Sequence, residues 1–198
     1  MTSKGMDNPY KGIYEYSVII APDELNWERL KQLRVEFADH YNIDHAKYGR
    51  PHLYLANFVQ FESREPEVLS CLAKVAAMNV PFRVNLSGFG AVGKHNIHVK
   101  AGPQISLLLL IASIKEISEE AMTFNEWNKP HFFGEPHFTI ARKLNELQFE
   151  KIWPDYANRI FTGDFQTSEI VLLKREFGSP GYQPVEIFPF DIPVFHEN

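Results

Sequence analysis

Pro51-His52-Leu53-Tyr54-Leu55-Ala56 returns in altered form as Pro136-His137-Phe138-Thr139-Ile140-Ala141, and the reading of this pair decides the fold. In an extended strand side chains alternate between faces, so His52 and Tyr54 share one face while Leu53 and Leu55 share the other. The second copy repeats the pattern, with His137 and Thr139 opposite Phe138 and Ile140. Each segment reads as a strand that buries its apolar side chains. Its other face presents an imidazole and a hydroxyl, roughly 7 Å apart, to whatever lies over the sheet. Two such strands could face one ligand.

Outward from the first copy, Tyr14–Ala21 has strand composition, and Asp23 offers an N-cap for a helix carrying Leu30, Leu33 and Phe37. The His52 strand runs toward Phe61, and Ser63 opens a second helix in which Val68, Leu69, Leu72, Val75 and Ala76 recur at helical spacing. Phe82, Val84 and Leu86 alternate within a strand over Pro81–Phe89, and Ile97 with Val99 marks its hairpin partner. Gly102-Pro103 stops that strand, and a strongly apolar helix runs from Ile105 to about Ala121. An aromatic-rich loop, Phe124–Gly134, leads to the His137 strand. Asn145 with Gln148 forms a capping-box pattern before a helix carrying Leu147, Ile152 and Tyr156. Phe161–Arg175 and Val185–Phe190 read as two closing strands joined across Gly178-Ser179-Pro180-Gly181. Strands outnumber helices and hairpins interrupt the βα units, which gives α+β class. The two histidine strands hold similar places in successive halves, each followed by an amphipathic helix, as an internal duplication with two lobes would produce.

The chain has 198 residues, 44% of them hydrophobic, enough for one substantial core and one globular unit over 1–198. A formal net charge of −5 argues against a general nucleic-acid coat, which needs many phosphate neutralisations. Cys71 is the single cysteine, so a disulfide framework or multi-cysteine zinc site is excluded, and it reads as a core thiol. Met1–Gly12 is polar, broken by Gly5 and Pro9, and reads as a flexible segment without a secretory core; a cytoplasmic monomer is expected. The apolar stretch around Ile105–Ile114 is too short to span a bilayer.

Imidazole titrates at about 6.5, so it can accept or donate a proton near neutrality, and two of them make an acid/base couple. A phosphodiester, above all a cyclic one, needs such a couple: one group removes a proton from water and the other protonates the departing oxygen. The hydroxyls of Tyr54 and Thr139 could donate hydrogen bonds to non-bridging oxygens as charge develops. No metal or cofactor is required. For one histidine alone, a half-buried strand residue satisfied by its neighbours is the simpler account; the duplicated setting argues for a shared cleft.

On these residues the sequence resembles the two-histidine phosphoesterases, the LigT-like family of cyclic phosphodiesterases and 2′,5′ RNA ligases, whose signature is a pair of H-x-[ST]-x motifs. His137-Phe138-Thr139-Ile140 fits, as do the flanking Glu135-Pro136 and Ala141-Arg142. In His52-Leu53-Tyr54-Leu55 a tyrosine stands where serine or threonine is expected, which places its hydroxyl several ångströms farther from the backbone. The resemblance implies a bilobal fold of two antiparallel-rich sheets around a central cleft, helices outside, acting on 2′,3′-cyclic phosphates or related RNA and nucleotide ends. It also implies His52 and His137 as the acid/base pair, Thr139 as an oxyanion donor and Tyr54 as its counterpart. Arg142 could add positive potential, and His131 and Phe133 could line the cleft and stack a base.

A binding module of the same fold, holding a nucleotide or RNA end without turnover, is the alternative that Tyr54 motivates. Gly88-Phe89-Gly90-Ala91-Val92-Gly93 matches the dinucleotide fingerprint, but the fingerprint needs a helix after its last glycine and here an alternating strand pattern follows. Bulge and turn glycines are the better account. His95 and His98, three apart on that strand, point to opposite faces and read as solvated hairpin residues.

Overall fold

The two copies of the repeated pentapeptide lie in two separate antiparallel sheets. The computed structural model describes residues 10–102 and 105–191. Of the Met1–Gly12 segment, residues 1–9 lie outside the described residues, as does Pro103; Tyr10-Lys11-Gly12 forms the turn that enters the first strand. The chain then runs β1 (Ile13–Ile20), α1 (Glu24–Tyr41), β2 (Leu53–Phe61), α2 (Glu65–Ala77), β3 (Phe82–Val92), β4 (Asn96–Ala101), α3 (Ile105–Met122), β5 (His131–Phe132), β6 (His137–Ala141), α4 (Glu146–Ala157), β7 (Thr162–Thr167), β8 (Glu169–Glu176) and β9 (Gln183–Pro189).

Local chemistry sets the helix ends. The Asp23 side chain accepts from the Asn26 amide at 2.9 Å and starts α1, and Asn42 ends it in the left-handed conformation that asparagine tolerates. At α4 the capping box is complete: the Asn145 side chain accepts from the Gln148 amide, and the Gln148 side chain accepts from the Asn145 amide. Pro66 falls in the first turn of α2, where its missing N–H leaves no helical bond unmade.

One sheet has the order β5-β2-β1-β8-β9 and the other β6-β4-β3-β7. With β5, β7 and β9 set aside, the string β1-α1-β2-α2-β3 recurs as β4-α3-β6-α4-β8. In each copy the last strand leaves its own sheet: β3 pairs with β4, and β8 with β1. The helices cross as well. α2 and α3 pack together over the five-stranded sheet, while α1 and α4 cover the four-stranded one. A single cluster of buried side chains therefore draws on both sheets and all four helices, from Leu30 and Leu72 to Leu110 and Ile152. Leu53, Leu55, Phe138 and Ile140 all lie in that core, each contributing about 1.5–3 kcal/mol by leaving water. The opposite face of the five-stranded sheet carries a smaller cluster of Ile19, Val171 and Leu173, with Tyr54 and Tyr182 against it.

Several expectations are corrected. Phe161–Arg175 is two strands, not one: the chain breaks at Ser168, leaves β7 on the edge of the four-stranded sheet beside β3, and carries β8 into the other sheet. No glycine or proline marks the crossing. It is fixed by pairing, with the Phe190 amide donating to the Ser168 carbonyl at 2.8 Å. The aromatic loop contains β5, in which His131 pairs with Asn57 and Phe132 with Ala56. Leu147 is exposed, and the buried stripe of α4 is Phe149, Ile152 and Tyr156. Cys71 is half-buried against the core rather than sealed in it. Among the described residues no helix is long and apolar enough to cross a membrane.

Candidate active site

His52 immediately precedes β2, and its ring meets the Tyr54 ring edge-on at 6.3 Å between centroids. Burial, with Arg50 and Arg34 nearby, pushes the imidazole down to about 4, so it is neutral at physiological pH. Tyr54 rests on Ile19, Val171 and Leu173 with Tyr182 beside it, and the Phe133 ring lies 6.1 Å away. Burial and Tyr182 raise its phenol, while Arg142, Arg34 and Arg175 act against them. Three guanidiniums thus bear on one hydroxyl, a local positive field inside an acidic protein.

Two of those cations are held in place by the fold. Arg175 is paired with Glu15 at 2.6 Å and stacked over Tyr182 at 4.6 Å. Arg34, on α1, donates to the carbonyls of Ala46, Tyr48 and Gly49 and so clasps the loop that leads to His52. The same loop reaches the second motif, where His45 Nε2–H donates to the Arg142 carbonyl at 2.8 Å. Contact between β2 and β6 completes the junction of the two sheets.

His137 opens β6, and its Nδ1–H donates to the Glu135 carbonyl at 2.9 Å. A carbonyl can only accept, so Nδ1 carries the proton and Nε2 is the nitrogen left to exchange one. Burial lowers the imidazole, opposed by the hydrogen bond and charge of Glu135. Thr139 follows on the same face and pairs in register with His98 of β4, while Lys100 is opposite His137.

His98 is not the solvated hairpin residue expected. It is only 7% exposed, and its ring stacks on His137 at 3.9 Å with an interplanar angle of 26°. Its seat exists because Gly90, opposite it on β3, has no side chain: a Cβ there would lie 2.4 Å from His98 Nε2. Gly88 and Gly93 take positive φ at the β3 bulge and the hairpin turn, so the glycine run serves strand geometry and opens no helix. His95 is exposed in that turn.

The structure accordingly forms two groups, one at β2 and one at β6, strands that touch one another. The first is His52, Tyr54, Phe133 and His131, with Arg142 bearing on Tyr54. His131 is exposed and meets Phe133 edge-on at 4.6 Å. The second is His137, Thr139 and His98. Sequence reasoning missed His98, Arg34 and Arg175. Only His98 left a trace, since the alternation of Ile97 and Val99 with His98 and Lys100 already placed it on the face of the motif residues it pairs with. Among the described residues no three His, Cys, Asp or Glu side chains converge as metal ligands.

Comparison with known proteins agrees with this architecture. E. coli LigT complexed with 3'-AMP superimposes with a TM-score of 0.62 at 16% identity, covering 90% of this chain and 98% of that one. TT0787 of Thermus thermophilus gives a TM-score of 0.59 at 21% identity, with 89% and 97% covered. No curated protein matches at the sequence level. The family model described as the 2'-5' RNA ligase superfamily matches residues 22–178, most of the length and both histidine motifs. The chain belongs to that superfamily, as the paired histidine motifs implied.

Proposed function

We propose that the protein is a phosphodiesterase that opens 2′,3′-cyclic phosphates, or acts on related RNA and nucleotide ends, through His52 and His137 and without a metal. The observation that carries this reading is the unlike setting of the two imidazoles. Burial first, and then Arg50 and Arg34 beside it, keep His52 neutral and suit it to be the base. His137 has its Nδ1–H fixed by the Glu135 carbonyl and a carboxylate near it, which suits Nε2 to carry the transferable proton. His52 takes a proton from water as its oxygen attacks phosphorus. The P–O bond to one ribose oxygen then breaks, and His137 protonates that oxygen, leaving a phosphomonoester and a free hydroxyl. Thr139, Tyr54 and the surrounding guanidiniums would oppose the charge building on the non-bridging oxygens. E. coli LigT in complexes with 3'-AMP, ATP and phosphate supplies the precedent for nucleotide-type ligands on this fold. We place the action in the cytoplasm, by a single chain.

On this reading the base must titrate below the acid, so that the productive form, neutral His52 with protonated His137, predominates between the two pKa values. That window runs from about 4 to below the ordinary 6.5 of histidine. The kcat/KM for a 2′,3′-cyclic nucleotide, measured with chelator present, should therefore be bell-shaped with an optimum on the acid side of neutrality. His52→Ala and His137→Ala should each lose about 10²-fold or more with the fold intact. Undiminished hydrolysis by either variant, or loss of activity on adding chelator, would overturn the assignment. Tight binding without turnover would favour the second reading, a holding module in which the Tyr54 ring takes up space at the phosphate.

A further inference from the structure

Resting on that reading, we infer that His98 is a positioning residue for His137: it covers one face of the His137 ring and holds it in register, and the stacked pair admits one proton rather than two. Three observations meet here. The rings are parallel within 26° at 3.9 Å, close enough that two positive charges would repel strongly in a buried setting. His98 is 93% buried and its Nδ1 has no hydrogen-bond partner among the described residues. A filler at this position would be better made from an apolar ring, because an unpartnered buried nitrogen is destabilising. The third observation is Gly90, whose bare α-carbon is the space His98 occupies.

The charges acting on the pair are few. Burial and then His137 itself disfavour a proton on His98, with Lys100, two residues on along β4, acting the same way; burial also disfavours one on His137, opposed by Glu135 ahead of β6. On the β3 side the ring lies against Gly90. His98 is pushed down to about 4, and the proposed chemistry needs the pair's single proton on His137. The consequence for an acid is direct. Kept from water, His137 holds its proton less tightly and gives it up more readily to a departing alkoxide.

The test follows His137 itself. Its ring C–H signals are titrated by NMR in the full chain, and the pH profile of kcat/KM for a 2′,3′-cyclic nucleotide is recorded alongside. His98→Ala should admit water and raise the His137 midpoint by about one pH unit, with the basic limb of the rate profile moving up by the same amount. Gly90→Ala should do likewise with His98 still present, since the new methyl displaces the ring. His98→Phe keeps the cover, so the midpoint should stay near that of the wild type while the second, more acidic step of the coupled titration disappears. A His137 midpoint and basic limb unmoved by both His98→Ala and Gly90→Ala, in folded protein, would overturn the inference. Absence of turnover in the wild type, with the midpoint still moving in the variants, would instead remove the phosphodiesterase reading and leave the stacked pair standing.

Discussion

Tyr54 is the residue on which the chemistry of the first motif turns. Its hydroxyl stands on a longer arm than the Thr139 hydroxyl, but three guanidiniums bear on it and burial keeps the phenol protonated, so it is a donor in a positive field. Tyr54→Phe is expected to lower kcat/KM for a cyclic phosphate about tenfold or more. A well-placed oxyanion donor is worth about 2.7–4 kcal/mol, and one on a longer arm less. Tyr54→Thr tests the opposite role: if turnover rises in this variant while Tyr54→Phe behaves as wild type, the ring is an obstruction and not a donor. At this scale the sequence revealed the residues that repeat and hid those that do not. His52 and His137 share a pattern that can be read along the chain. The seat of His98 depends on an absent side chain at Gly90, and Arg34 does its work by clasping carbonyls of the loop that ends 15 residues further on, at Gly49.

At the scale of elements, α4 tests how much a local signal contributes. Its capping box is complete, and Asn145→Ala should destabilise the protein by about 1 kcal/mol, read as a lower urea midpoint with an unchanged slope. A variant as stable as the wild type would mean that packing of Phe149, Ile152 and Tyr156 alone fixes the helix start. This helix was legible because its cap and its stripe are both local; Leu147, two residues before Phe149, falls on the side of the helix away from that stripe. β5 was not legible, since two residues carry no period and their pairing with Asn57 and Ala56 is set by strands far apart in the chain. The β7–β8 break escaped for the same reason: both strands have sheet composition, and only the partners, β3 for one and β1 for the other, separate them.

For the whole molecule, three histidines held below their ordinary pKa make stability depend on pH. Above about pH 6.5 His52, His98 and His137 are neutral in both folded and unfolded chains and contribute no dependence. As pH falls from there toward about 4, the unfolded chain takes up protons that the folded one resists, so stability should decline across this window. Thermal unfolding followed from pH 7 to 4.5 checks this, and His98→Phe should flatten the slope by up to one proton; a slope identical in wild type and variant would contradict it. The strand exchange carries a different consequence, for the order of events as the chain is made. β1 lies between β2 and β8, so the middle of the five-stranded sheet joins residues 13–20 to residues 169–176. A nascent chain that has emerged as far as α4 has every helix and both histidines, yet still holds β1 with one row of backbone donors and acceptors unpaired. Such an edge invites pairing with another chain, and closing it requires contacts between residues far apart in sequence. Maturation therefore waits on β8 to leave the ribosome, and a chain cut before Glu169 would be expected to aggregate rather than fold to a half-molecule.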